Sequence, residues 1–307
     1  MARRSQRPIV DRIERYREAI DDWDAFRAAT ERPMPTVVRT HTDRLSPDRL
    51  RKRLECRGID CEAVPWADAF LRVDRPVGRT IEHWLGMLYI QELVQAVPVL
   101  VLDPRPEELV LDLCAAPGGK TTHIAALMKS SGTLIANEPN GRRQQGLLAN
   151  VNRLGAINVA ITEYAGEAFP MSIPFDRILV DAPCSAEGTL RKERSLRHGA
   201  APAAIRRLSA LQRRLIVRAY DLLRPGGVLV YSTCTFAPEE NEASVAHLLA
   251  ERPDARLTPV ALPFAAAPGL TEWNGTRFSP ELTGCARIYP HHLDSGGGFV
   301  ARIERPG

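Results

Sequence analysis

With 307 residues, of which 44% are apolar and 25% charged, and a formal net charge of +4, the chain has material for one large domain and a smaller one, each with its own core. Met1 to Arg7 leads into no apolar run, and no stretch of about 18 apolar residues follows, which argues against a signal peptide or a membrane span and for a cytoplasmic enzyme. Six scattered cysteines (Cys56, Cys61, Cys114, Cys184, Cys234 and Cys285) show neither Cys-x-x-Cys nor histidine spacing, so neither a metal site nor a disulfide framework is expected.

Between residues 12 and 30 the positions Ile13, Tyr16, Ile20, Trp23 and Phe26 recur every three or four residues, the spacing of one helical face. Residues 36–40 then read as a strand, Ser46-Pro47-Asp48 as a helix start, and the stretch ending at Leu71-Arg72-Val73 as a second strand. This predicts a small N-terminal α/β module within residues 1–100. The first 60 residues carry 15 basic against 11 acidic side chains, and holding RNA is the functional reading of the module beside plain scaffolding.

After Asp103-Pro104-Arg105-Pro106 the pattern changes to strands at 109–113, 133–136, 159–162, 177–180 and 228–232, alternating with helices at 121–128, 142–154, 204–223 and 239–251. Such alternation needs crossover connections. Residues 101–307 are therefore expected to form a mostly parallel sheet with helices on both faces and any ligand at the carboxyl ends of its strands.

The first of these strands runs into Asp112-Leu113-Cys114-Ala115-Ala116-Pro117-Gly118-Gly119-Lys120-Thr121. Small residues let the backbone approach a ligand, and the helix start behind them can receive an anionic group. Gly119-Lys120-Thr121 ends like a phosphate loop, but Cys114 stands where that motif needs glycine and Pro117 removes a backbone donor. The Gly-x-Gly-x-x-Gly of dinucleotide folds is also missing. An adenosine ligand remains, and Glu138, at the end of the next strand, is placed either to accept hydrogen bonds from ribose hydroxyls or to serve as a helix-start carboxylate.

The fourth strand ends in Asp181-Ala182-Pro183-Cys184-Ser185-Ala186-Glu187-Gly188 and the fifth in Tyr231-Ser232-Thr233-Cys234-Thr235, with Pro238-Glu239-Glu240-Asn241-Glu242 behind it. Two cysteines at neighbouring strand tips, with an acid beside one of them, suit a target too weakly nucleophilic to be methylated directly, such as carbon 5 of cytosine. A thiolate added to carbon 6 makes carbon 5 electron-rich, an acid such as Asp181 hydrogen-bonds or protonates the ring nitrogen N3, and a second thiol assists release. Residues 191–214 then carry eight basic side chains against Glu193 alone, a phosphate-binding surface or a solvated helix face. Arg191, Lys192, Arg206 and Arg207 are the RNA contacts expected there.

The runs 112–122, 181–188 and 232–242 resemble the signature motifs of the Sun/nucleolar-protein family of RNA cytosine-C5 methyltransferases, and the similarity spans about residues 80–305, including the closing Gly298-Phe299-Val300-Ala301. The resemblance implies a Rossmann-like class I methyltransferase fold in which Cys114, Ala115, Ala116, Pro117, Gly118, Gly119 and Lys120 wrap S-adenosylmethionine. Glu138 would bind its ribose, Asp181 would reach cofactor and target base, Cys234 would be the nucleophile and Cys184 would assist product release. The partner implied is an rRNA or tRNA, held in part by the N-terminal module, and the enzyme is expected to be a monomer without metal. Thr233-Cys234, in place of the Pro-Cys nucleophile of DNA enzymes, favours RNA. A non-catalytic RNA-binding assembly factor is the competing class, and the presence of both cysteines and Asp181 speaks against it.

Two departures stand out. Ala165 occupies the place of a family aspartate that would take the adenine amino group, and Glu163 and Glu167, on the same face of an extended chain, are the expected substitutes. Arg39-Thr40-His41 stands for the family's Arg-x-Asn.

Overall fold

The computed structural model describes residues 12–170 and 173–307; Met1 to Arg7, read above for a leader, lie outside them, as do the side chains of Arg194 and Arg197. The helix expected over 12–30 is broken. A 3-10 turn at Arg12–Tyr16 gives way to a bend, and α1 (Trp23–Glu31) restarts on Asp22, whose carboxylate accepts from the Ala25 N–H as an N-cap. Ten residues of straight helix would hold Tyr16 and Phe26 about 15 Å apart. The bend instead brings both rings onto Phe236, at centroid distances of 6.1 and 5.5 Å.

The module continues with β1 (Thr36–Thr40), α2 (Pro47–Glu55), β2 (Cys61–Ala63), β3 (Phe70–Val73), α3 (Ile81–Trp84) and β4 (Leu88–Ile90). Its strands pair antiparallel in the order β2-β3-β1-β4. Ser46 caps α2 with Pro47 in the first turn, and the helix lays Leu50 and Leu54 against Val38, Leu71 and Val73 of the sheet. α4 (Leu93–Leu102), almost wholly apolar, shares a core with Val110, Leu134, Val230 and Val300, which belong to the second sheet, and so joins module to large domain.

The large domain follows as β5 (Leu109–Asp112), α5 (Gly119–Leu127), β6 (Thr133–Asn137), α6 (Gly141–Leu154), β7 (Val159–Thr162), β8 (Phe175–Asp181), α7 (Pro202–Asp221), β9 (Leu223–Thr233) and α8 (Glu242–Glu251). After these come β10 (Arg256–Thr258), β11 (Ala267–Pro268), β12 (Glu272–Trp273), β13 (Thr276–Arg277), β14 (Ala286–Ile288), α9 (Pro290–Leu293) and β15 (Gly298–Glu304). Strands β7-β6-β5-β8-β9 run parallel, and β15 and β14 extend that edge antiparallel. This is the Rossmann-like sheet of class I methyltransferases.

Alternation along β8 divides the core. Ile178 and Val180 pack with Leu215, Ile216 and Ala219 of α7, while Leu179 packs with α4 and α5 on the other face. All three are fully buried, each contributing about 1.5–3 kcal/mol. Pairing of Val110 with Arg177 and of Asp181 with Ser232 sets the register, so the loops after β5, β8 and β9 leave the sheet at one edge.

Candidate active site

At that edge Gly118, with φ at 101°, adopts a left-handed conformation that only glycine holds cheaply, and turns the chain into α5. Above the turn lies a cleft of about 270 Å³. Cys114, Ala115, Ala116, Pro117, Gly119 and Lys120 line it together with Asp112 and Asp181, as the strand-end rule predicts. Its opposite wall comes from the N-terminal module and α4: Tyr89, Gln91, Glu92 and Gln95. Sequence reasoning missed that wall, because a three-residue strand carries no period to detect.

Arg39 fastens the wall to the floor. Its buried guanidinium donates to Gln91 Oε1 (2.9 Å), the Gly119 carbonyl (3.1 Å) and Thr122 Oγ1 (2.9 Å). His41, at the family's asparagine position, meets the Leu154 carbonyl at the end of α6 at 2.7 Å.

Two acids and one cation govern the electrostatics. Asp112 accepts from Thr121 Oγ1 at 2.7 Å, while its Oδ1 is buried with no hydrogen-bond partner among the described residues. Burial, opposed by the Thr121 bond and reinforced by the charge of Asp181, pushes this carboxyl up to about 7. Lys120 donates to Asp181 Oδ2 at 2.7 Å and to Gln95, and Ser232 donates to Asp181 Oδ1 at 2.9 Å. Burial alone would lower the Lys120 ammonium, but Asp181 and, beyond it, Cys234 hold it above its ordinary value. An unpartnered buried carboxylate oxygen facing a cleft of small residues fits a cationic adenosine ligand such as S-adenosylmethionine.

Glu138 and Gly118 do not line the cleft. The buried Glu138 carboxylate accepts from the Asn140 N–H at 2.9 Å and pairs with Arg143 at 3.0 Å, and Arg143 donates in turn to the Ala116 carbonyl. Glu138 thus braces the 114–119 loop from behind. One of the two expected substitutes for the missing aspartate is corrected: the chain turns at Gly166–Ala168, so Glu167 does not share the face of Ala165 and instead pairs with Arg214 on α7 at 3.4 Å. Glu163 is exposed, and neither glutamate lines the cleft.

Cys184 and Cys234, fifty residues apart in sequence, meet with their sulfurs 3.2 Å apart, and the Cys234 N–H points at Cys184 Sγ at 3.3 Å. Gly188 allows this approach: a Cβ there would stand 2.2 Å from the Gly297 carbonyl and 2.9 Å from that of Cys234. The hydrogen bond to Cys234, burial and the nearby Glu240 together raise the Cys184 thiol well above its ordinary value. Cys184 therefore keeps its proton at neutral pH, and either sulfur can donate in the pair.

Of the four expected RNA contacts, Arg191 is wrong. Its side chain is 0% exposed and donates to the carbonyls of Ser295, Arg32 and Pro33 and to Asp294, so no phosphate can reach it. Lys192 is exposed at the cleft rim, paired with Glu92, while Arg206 and Arg207 stand exposed near the start of α7.

A family model described as 16S rRNA methyltransferase RsmB/F matches residues 99–304. The chain belongs to the RsmB/F methyltransferase family. That bears out the kinship read from the motifs around Cys114, Cys184 and Cys234. This RsmB/F-family chain is 37% identical over 299 residues to a tRNA (cytosine(49)-C(5))-methyltransferase of Pyrococcus abyssi, covering 96% of this chain and 95% of the relative. It is 39% identical over 292 residues to a ribosomal RNA small subunit methyltransferase F of Aliivibrio fischeri, covering 92% of this chain but 60% of the relative. A solved methyltransferase homologue from Pyrococcus horikoshii matches the RsmB/F-family fold with a TM-score of 0.80 at 34% identity, over 92% of this chain and 90% of that one.

Proposed function

We propose that this chain transfers a methyl group from S-adenosylmethionine to carbon 5 of a cytosine in a structured rRNA or tRNA, through a covalent adduct of Cys234 at carbon 6. The observation that carries the reading is the pair of thiols 3.2 Å apart at the tips of β8 and β9, beside Asp181 and the cleft. Relatives of both tRNA and rRNA type, named as cytosine-C5 methyltransferases, support the reaction and leave the choice of RNA between the two.

The Cys234 thiolate forms the sulfur–carbon 6 bond, and the displaced electron pair moves toward carbon 5 and N3. Asp181, held by Ser232 and Lys120, takes up a proton from solvent as the base binds, donates it to N3 as negative charge gathers there, and recovers it when the adduct collapses. When bound, S-adenosylmethionine supplies the electrophilic methyl group. Carbon 5 then loses its proton to solvent through the open cleft, the sulfur–carbon 6 bond breaks, and the electron pair returns to Cys234. Cys184, still protonated, donates its hydrogen bond to the departing sulfur and stabilises it as a thiolate.

The test is tritium release from RNA labelled at carbon 5 of cytosine, combined with denaturing gels. Cys234→Ala is expected to abolish release while leaving cofactor binding nearly intact, and Cys184→Ala to accumulate a slow-migrating RNA–protein band that requires Cys234. A band seen only in Cys234→Ala would reverse the two roles.

A further inference from the structure

Beside the turn that carries Cys184 lies Glu240, a fully buried carboxylate on which the reaction above makes no demand. The helix predicted from residue 239 starts only at Glu242: residues 238–241 form a turn ahead of α8, closed by bonds from the N–H groups of Glu240 and Asn241 to the Ala237 carbonyl. That turn carries the side chain back toward the β8 tip. There Glu240 Oε2 accepts from the Ser185 N–H at 3.0 Å and from Gln212 Nε2 at 2.7 Å. Gln212, itself fully buried on α7, also donates to the Pro183 carbonyl at 2.8 Å. The residues on either side of Cys184 are therefore gripped by one carboxylate–amide pair.

We propose that Glu240, braced by Gln212, is a positioning residue that fixes the Pro183-Cys184-Ser185 turn so that the Cys184 thiol stands against Cys234. Two further contacts anchor the clamp: Tyr231 donates its hydroxyl to the Glu240 carbonyl at 2.6 Å, and Ser185 Oγ lies 2.6 Å from Thr235 Oγ1 on the Cys234 side. Among the reacting groups the clamp grips Cys184 from both neighbours, whereas it reaches Cys234 only through the hydroxyl contact of Ser185 with Thr235. Cys234 sits one residue beyond β9 and Asp181 ends β8, so the sheet holds both without it. Loss of the clamp should consequently impair product release and spare adduct formation. A misplacement on the order of 1 Å at a reacting group can cost about a hundredfold in rate.

The inference rests on the reaction proposed above, and its test separates the two. Glu240→Ala and Glu240→Asp, the latter one methylene short of its partners, should form the Cys234-dependent adduct at near the parental rate. Both should then turn over roughly ten- to a hundredfold more slowly, with the adduct band rising as in Cys184→Ala. Glu240→Gln can seat its carbonyl oxygen at the Oε2 position and turn its amide to the side where Oε1 has no partner, keeping both hydrogen bonds, so it should restore release. A role confined to stability would instead depress adduct formation and turnover together and lower the thermal midpoint in all three variants. That outcome overturns the proposal, as does a Glu240→Gln as defective as Glu240→Ala, or a Glu240→Asp that releases product like the parent. If Cys184→Ala itself traps no adduct, the reaction scheme fails, and the role assigned to Glu240 falls with it.

Discussion

Asp112 shows how a single residue at a strand end acquires a property that its sequence position only hints at. The groups facing it are Lys120, Asp181, the Thr121 hydroxyl and the Cys114 backbone, and burial outweighs the favourable ones to place its carboxyl at about 7. A raised acid pKa means that the folded state holds the proton more tightly than the unfolded chain, whose value is about 3.9. Stability from this group therefore declines as pH rises from about 4 to about 7 and is flat above. A cationic ligand reverses the preference, because it favours the ionised carboxylate. S-adenosylmethionine binding is accordingly expected to tighten several-fold between pH 6 and 8, and Asp112→Asn to bind about tenfold more weakly with no pH dependence. Calorimetry across that range decides it, and a variant whose affinity still climbs with pH would show that another group titrates. The residues of the 114–120 loop, Asp181 and the two cysteines were legible because parallel strands deliver their carboxyl ends to one edge. Glu167 was not, since face-sharing at a spacing of two holds only while the chain stays extended, and it turns at Gly166.

At the scale of elements, the long periodic segments of the large domain came out with bounds shifted by a few residues. The short or aperiodic ones, β2, β4 and the uniformly apolar α4, gave nothing for a period to register. The break within 12–30 has the same character: helical spacing persists through it, and only the tertiary aromatic cluster on Phe236 reveals that the chain bends. That bend is clasped to α9, where His291 and His292 meet the two oxygens of Asp21 at 3.1 and 2.9 Å. These three side chains have metal-ligand spacing. The Tyr289 N–H, however, donates to His292 Nδ1, which puts the ring proton on Nε2 and toward Asp21, leaving no lone pair there for an ion. The clasp is a pH-sensitive tie instead. Burial would raise the Asp21 carboxyl, but His292 and His291 together hold it below the usual range, whereas burial lowers His291. For Asp21 the stabilisation is present above its unfolded value and lost as pH falls through the lower folded one. For His291 it begins to be lost below about 6.5, where the unfolded imidazole takes up its proton first. Both act in one direction, so the thermal midpoint should fall through His291 between about pH 6.5 and 4 and through Asp21 below about pH 4. Asp21→Asn removes a group that holds His291 up, so it should start lower at pH 7, fall more steeply between about 6.5 and 4, and lose the further drop below about 4; an unchanged profile would place the acid sensitivity elsewhere.

For the molecule as a whole, burial divides the basic cluster at 191–214, read from the sequence as an RNA surface, into side chains a phosphate could reach and side chains that hold the protein together. Sequence alone could not separate the two, because charge does not report burial. Arg191 follows the Cys184 loop and ties three segments, the chain after α1, the loop at Asp294-Ser295 and its own, by donating to three carbonyls and one half-exposed carboxylate. Arg206 and Arg207 project from α7 into solvent. The two classes should therefore separate in one experiment. Replacing Arg206 and Arg207 with glutamine is expected to weaken RNA binding uniformly across sequences and to flatten the plot of log affinity against log salt by about one unit per lost phosphate contact, with thermal stability unchanged. Arg191→Gln should leave that slope intact and lower the unfolding free energy by roughly 1–3 kcal/mol for each carbonyl left dry, less whatever water restores. Because the stranded Asp294 is half-exposed, its charge remains solvated and adds little. Filter binding over a salt series, run beside thermal melts of the same proteins, reads both quantities. A salt slope that changes in Arg191→Gln, or that survives loss of both α7 arginines, would mean that RNA lies along a different face of the large domain.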